Sequence, residues 1–225
     1  MARQKDKMPK YINFPIVCLQ GKSLRDGINE GAKYAVGYFI RDYDQSNYNS
    51  EAEYYSTMSQ DIFNALGIRV NSGYREYAEV RDMYIIRTAL TGCPTDMLKA
   101  TNEGWFDNAY SEMLFRAYLA FKSIIPAKKF AKTNKAMLCA RMVGCINFRE
   151  LIGNGDQKGV NYFISFRNRR TWQKFIKDMC ERWHLGYYGR AQGFYVSFVL
   201  SGTGIKKQIE AKKKKLNESM GKTEE

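Results

Sequence analysis

A chain of 225 residues with 44% hydrophobic and 14% aromatic side chains can bury a proper core, which excludes a disordered or low-complexity polymer. Its 36 Lys+Arg against 23 Asp+Glu leave a net charge of +13, and residues 1–125 carry 15 of each sign, so the whole excess lies in residues 126–225. No stretch approaches the roughly 18 apolar residues of a membrane span, and Asn13 and Pro15 interrupt the short apolar run Tyr11–Leu19, so neither a transmembrane segment nor a secretory leader is expected.

In chain order, residues 1–10 read as a loose basic arm. Ile12, Phe14, Ile16 and Cys18 alternate as in a short strand, which Pro15 would confine to a sheet edge. Ser23 caps a helix in which Leu24, Ile28, Ala32, Ala35, Val36 and Phe39 recur at helical spacing; Gly27 and Gly31 either weaken it or admit a close neighbour. After a polar loop, helices are predicted over 51–66, with Gly67 as C-cap, and over 74–90, ended by Gly92 and Pro94. A short helical piece follows over 95–101. Asp107 or Asn108 then caps a long helix to Ile125, whose stripe is Met113, Leu114, Ala117, Tyr118 and Phe121. Nine of the sixteen tyrosines fall between Tyr34 and Tyr84, a pattern that suits core packing better than an aromatic docking surface.

The basic part opens with Lys128–Lys132, a short basic strand. Thr133 or Asn134 caps a compact helix over 135–143, and residues 145–167 form a connection with an extra helical turn at 148–152 and a loop over 153–159. In the following helix Trp172, Phe175, Ile176, Met179 and Trp183 make one apolar stripe. Asn168 or Thr171 is its N-cap, and His184 ends it. Leu185–Gly189 and Phe194–Leu200 read as two strands around the turn Arg190-Ala191-Gln192-Gly193, and Ile205–Lys222 as a basic, partly helical tail. The expected fold is mainly α with a small antiparallel β-hairpin, divided into a helical N-terminal region (1–105), a second domain (106–203) and a basic tail (204–225).

From about Ser111 to Leu200, the order long helix, short strand, compact helix, basic helix, hairpin resembles the winged-helix domains of the helix-turn-helix superfamily. The segments Tyr187-Tyr188-Gly189 and Gly193–Phe198 are also similar to uncharacterised phage and mobile-element proteins. The resemblance implies a double-stranded DNA partner. Within Arg167–Lys177 the basic helix would enter the major groove N-terminal end first. Arg169, Arg170 and Gln173 would then read base edges, while Lys174 and Lys177 would meet phosphates. Arg190 at the hairpin tip would reach the minor groove or backbone, Lys135 with Thr133 would anchor the flanking strand, and Arg167 and Asn168 lie at the leading end. One departure is plain: residues 145–167 intervene where a helix-turn-helix has three or four residues.

Enzyme chemistry is not expected. The single His leaves no nucleophile, base and orienter to assemble, and the Gly153–Gly159 loop lacks the spacing of a phosphate-binding loop. The five cysteines show no C-x-x-C pair, so the reading has no metal and no cofactor, only reduced thiols in a cytoplasmic protein. The resemblance implies a transcriptional regulator or replication initiator of a phage or mobile element, with the helical first part supplying homodimerisation or partner contacts. The alternative is a structural or adaptor protein holding RNA or an acidic protein partner.

Overall fold

The computed structural model describes residues 11–41, 50, 53, 74–84, 89–125 and 128–220. The expected helix over 51–66, the N-terminal arm and most side chains of the tyrosine cluster lie outside them.

The chain is built around α4 (Ala109–Ile124), capped by Asn108, whose side chain accepts from the Ser111 N–H. Every residue from Leu114 to Phe121 is buried. A helix with no solvent face must be enclosed, and it is, by the turn Ile16–Leu19, by β2 (Leu90–Pro94), by α5 (Lys135–Met142) and by α8 (Arg169–Trp183). Arg116 is the polar exception, only 1% exposed. Its guanidinium donates to Glu112 at 2.7 Å, to the Lys22 carbonyl at 2.9 Å and to the Met142 carbonyl at 3.4 Å, so a buried charge is paired and also ties α4 to both halves of the chain.

β1 (Tyr11–Pro15) pairs antiparallel with β2, Ile12 opposite Cys93 and Phe14 opposite Thr91. The strand stops at Pro15 and winds into a 3-10 turn, short of the expected Cys18. α1 (Leu24–Arg41) begins where Ser23 Oγ accepts from the Asp26 N–H, and α2 (Tyr74–Met83) packs along it. The helix expected to reach Leu90 ends at Met83, and the supposed terminators Gly92 and Pro94 lie inside β2. Tertiary contacts decide this: the Thr91 hydroxyl donates to the Leu119 carbonyl of α4, and Gly92 leaves room for the Tyr11 ring, which a Cβ would meet at 2.5 Å. α3 (Thr95–Asn102) follows as expected.

In the second half, β3 (Ala131–Thr133), β4 (Gly186–Arg190) and β5 (Gly193–Ser197) form an antiparallel sheet of order β3-β5-β4, with Thr133 opposite Phe194 and Arg190 opposite Gly193. Gly193, at φ +101°, takes the turn conformation that non-glycine residues avoid. The protein is thus mainly helical with two small antiparallel sheets. Two expectations are corrected. Residues 145–167 are not an insert with one turn of helix; they hold α6 (Phe148–Gly153) and a full helix α7 (Gln157–Arg167), with only 154–156 of the supposed loop between them. Nor is the C-terminal segment a solvated, only partly helical tail: α9 (Gly202–Met220) is one helix that packs on β4 and β5 and buries Ile205 and Ile209. The expected boundary at 105–106 crosses shared packing, since one hydrophobic core runs from Ile12 and Phe14 through α4 to Phe194 and Val196.

Two consequences can be measured. Gly31 of α1 faces the buried Phe14 ring, which a Cβ would meet at 2.5 Å. Gly31→Ala should therefore lower stability by about 1–3 kcal/mol in urea titration, although alanine is the better helix former. Glu112 accepts from Lys158 of α7 as well as from Arg116; burial raises its carboxyl, but the hydrogen bonds and charges of those two cations together bring it below the ordinary value. The unfolded carboxyl takes up its proton first as pH falls. The stability this group confers is present above the ordinary carboxylate range and is lost as pH drops through the lowered value. Thermal unfolding from pH 7 to pH 3 should fall steeply in the native chain and less steeply in Glu112→Gln.

Candidate nucleic-acid interface

α8 owes its two-sidedness to its apolar spacing: Trp172, Phe175, Ile176 and Met179 are buried, while Arg169, Arg170, Gln173, Lys174 and Lys177 are exposed. Its first turn is set by Asn168, the single residue between α7 and α8, whose side chain accepts from the N–H groups of Arg170 at 2.9 Å and Thr171 at 3.2 Å. Asn168 therefore positions the leading turn rather than offering its amide oxygen outward. His184 ends the helix in the left-handed conformation, φ 52°, as expected for a terminal residue but through its backbone.

The exposed face is not uniform. Towards its C-terminal half cations alternate with acids: Lys177 lies 3.7 Å from Glu181, and Asp178 accepts from the Tyr110 hydroxyl, while Lys174 sits 4.9 Å from the Tyr110 ring centre. At the leading end Arg167, Arg169 and Arg170 are exposed, and among the described residues no carboxylate pairs with them. Arg190, at the hairpin tip, is exposed as well, its guanidinium 5.5 Å from the Tyr188 ring.

Two of the expected contact residues are placed otherwise. Thr133 is buried, 7% exposed, because β3 alternates and turns Ala131 and Thr133 inward, away from the surface a duplex would meet. The exposed residue of that strand is Lys132, which the same alternation would have picked out. Asn134, not Thr133, caps α5, accepting from the Met137 N–H at 2.8 Å. Lys135 is half-buried: its ammonium donates to the Phe166 carbonyl and lies 4.7 Å from the Trp172 ring centre, and burial lowers its pKa. It joins the first turn of α5 to the α7–α8 junction, so the leading ends of α5 and α8 form one corner. The direct partner of α8 across that junction is α7, a helix sequence reasoning missed; Phe166 near its end is fully buried against Trp172 and Phe175.

Beside the corner the hairpin tip leaves an open cleft of about 480 Å³, walled by Asn134 and Lys135 of α5, Phe163 of α7, Trp172 of α8, and Tyr187 and Arg190 of β4. No carboxylate lines it among the described residues. The thiols lie elsewhere: burial pushes Cys139 up to about 12 and Cys145 up to about 11, which keeps both protonated at neutral pH. Among the described residues no group of His, Cys, Asp or Glu could hold a metal ion, and no helix is long and apolar enough to cross a membrane. No protein-family model, curated protein or solved structure matches the chain.

The geometry at Asn168 predicts that Asn168→Ala costs about 1 kcal/mol of stability in thermal unfolding. Because both capped amides lie in the first turn of α8, hydrogen exchange should accelerate at Arg170 and Thr171 before it does at Phe175.

Proposed function

We propose that this chain is a non-enzymatic, cytoplasmic protein that binds double-stranded DNA through a winged-helix-like unit made of α4, β3, α5, α8 and the β4–β5 hairpin. It would act as a transcriptional regulator or replication initiator of a phage or mobile element. The observation that carries the reading is the corner described above, where the exposed guanidiniums of Arg167, Arg169 and Arg170 and that of Arg190 at the hairpin tip stand on neighbouring elements without described acidic partners. Around a polyanion such a surface gains from every counterion it displaces.

Strand order supports the same reading. The short strand before α5 pairs with the second strand of the hairpin, so the tip is held against the start of α5 and beside α8. Arg169, Arg170 and Gln173 are the candidates for base edges, since Arg bonds guanine and Gln bonds adenine bidentately in the major groove. Arg167, Lys174, Lys177 and Arg190 suit phosphates, and Lys132 joins them. Lys135 and Asn168 hold the elements in place. The helix α7 lies behind α8 in place of the short turn of a minimal helix-turn-helix.

Binding to random duplex DNA over a salt series should give a log–log slope near −5, the value for about six neutralised phosphates. Once a preferred sequence has been selected from a random duplex pool, replacing Arg169, Arg170 and Gln173 by Ala should weaken that complex on the order of a hundred-fold and leave little preference. Replacing Lys212, Lys213 and Lys214 by Ala should weaken all sequences alike. Equal loss of preference from both sets would refute groove reading by α8.

A further inference from the structure

The cleft at the corner has a chemistry that a paired duplex does not use. Its volume of about 480 Å³ lies within the range of roughly 300–1,000 Å³ typical of small-ligand sites. Flat rings form much of its wall: Trp172 and Phe194 are more than nine-tenths buried, and Phe163 and Tyr187 are half-buried.

Its polar groups are nearly all donors. Lys135 spends one ammonium hydrogen on the Phe166 carbonyl and keeps two. Asn134 uses its amide oxygen to cap α5, which leaves its NH2 without a described partner. The Tyr187 hydroxyl accepts from Trp172 Nε1 at 3.4 Å, so its own proton is available, and Arg190 stands at the mouth. A ligand for this site is planar, rich in acceptors and negatively charged at one end.

We propose that this cleft binds a single nucleotide unit, its base lying against Tyr187 and Phe163 and its phosphate held by Arg190 and Lys135. This rests on the DNA-binding reading and extends it: the unit would come from a nucleotide that has left the helical stack beside the site gripped by α8, or from a free nucleotide acting as an effector. Stacking on aromatic rings is indifferent to base identity, so the cleft recognises unpairing while α8 recognises sequence. A base already outside the stack is bound without the cost of unstacking it.

The test uses the full chain and three forms of one duplex, with a central 2-aminopurine paired with thymine, with the same base as a single-nucleotide bulge, and with an abasic bulge. A fourth probe is free 2-aminopurine deoxynucleoside monophosphate. The 2-aminopurine bulge should bind on the order of ten-fold more tightly than either other duplex, with its fluorescence quenched on binding. Ala136→Trp, which fills the cleft from the first turn of α5, should bring that ratio close to one; Ala191→Trp at the exposed tip provides a second block, and circular dichroism verifies that both variants fold. Equal binding of paired and bulged duplexes, or an abasic bulge bound as tightly as the 2-aminopurine bulge, overturns the extruded-nucleotide source; with no binding of the free nucleotide it overturns the cleft proposal and leaves duplex binding standing, whereas free-nucleotide binding lost on Ala136→Trp assigns the cleft to an effector. Binding of the free nucleotide alone, lost on Ala136→Trp, supports the cleft and overturns the duplex reading. If none of the four probes binds, both fall.

Discussion

The complete burial of α4 is the constraint on which the rest depends. A helix enclosed from Leu114 to Phe121 needs partners on every side, and a chain of this size supplies them only by wrapping both its halves around one rod. β2 and the turn after β1 take one side; α5 and α8 take the others. Having given its apolar stripe to this core, α8 meets only Tyr110 on its polar face among the described residues. The cationic face is exposed because the core is already closed. The stacked rings of Phe115, Tyr118 and Trp183 mark where α8 is pinned to α4. That pin lies at the C-terminal end of α8; at the opposite end Trp172 packs against Phe166 and Phe194 while Arg169 and Arg170 stay exposed.

Beside that packing, the leading end is oriented by polar, local bonds. Asn168 caps α8 with one side-chain oxygen shared between two amides, and Lys135 bridges α5 to the Phe166 carbonyl just before it. Net hydrogen bonds are worth only about 1 kcal/mol each, so neither contributes much to global stability. Their effect is geometric: they hold the leading turns of two helices beside a hairpin whose own register is fixed by β3 pairing with β5. A side chain expected to anchor the duplex backbone thus serves the scaffold as well, turned towards the cleft rather than the open surface. Lys135 exemplifies this, because an ammonium resting on the Trp172 ring has lost part of its hydration.

Legibility followed the strength of local periodicity. The helices α1, α4, α5 and α8 were readable because their apolar residues recur at 3.6 spacing and their caps, Ser23, Asn108, Asn134 and Asn168, stand immediately before them. The hairpin was readable from Gly193. α7 was not, for a physical reason: its most buried position besides Phe166 is Gly159, which makes no stripe of its own but lets the helix approach Leu151 and Val143, where a Cβ would lie 2.3 Å from Leu151 Cδ1. Close backbone approach leaves no hydrophobic signature in sequence. β2 was misread for the converse reason, since Gly92 and Pro94 carry the usual marks of a helix end, and it is pairing with the distant β1, with the Tyr11 ring over Gly92 and Thr91 bonded to the Leu119 carbonyl, that makes the segment a strand. The cations of α8 could be named in advance. That Lys135 turns inward required knowing that α7 ends beside α5, whereas the burial of Thr133 follows from the alternation of β3 alone.

The same missed helix changes the character of the corner. With only a short turn before α8, the space beside the hairpin tip would open to solvent on the α8 side; with α7 present, Phe163 closes one wall and the Phe166 carbonyl holds the Lys135 ammonium beside the cleft. Aromatic walls and cationic donors therefore meet for one structural reason. The rings are those the hairpin and α8 bury against each other, with Trp172 tilted 51° to Phe194 at 5.2 Å. The cations are those excluded from that packing, kept at its margin because a charged group cannot enter without a partner. A margin of this kind has opposite properties on its two sides, apolar within and positive at the rim. A base joined to its phosphate has the same two sides in the same order.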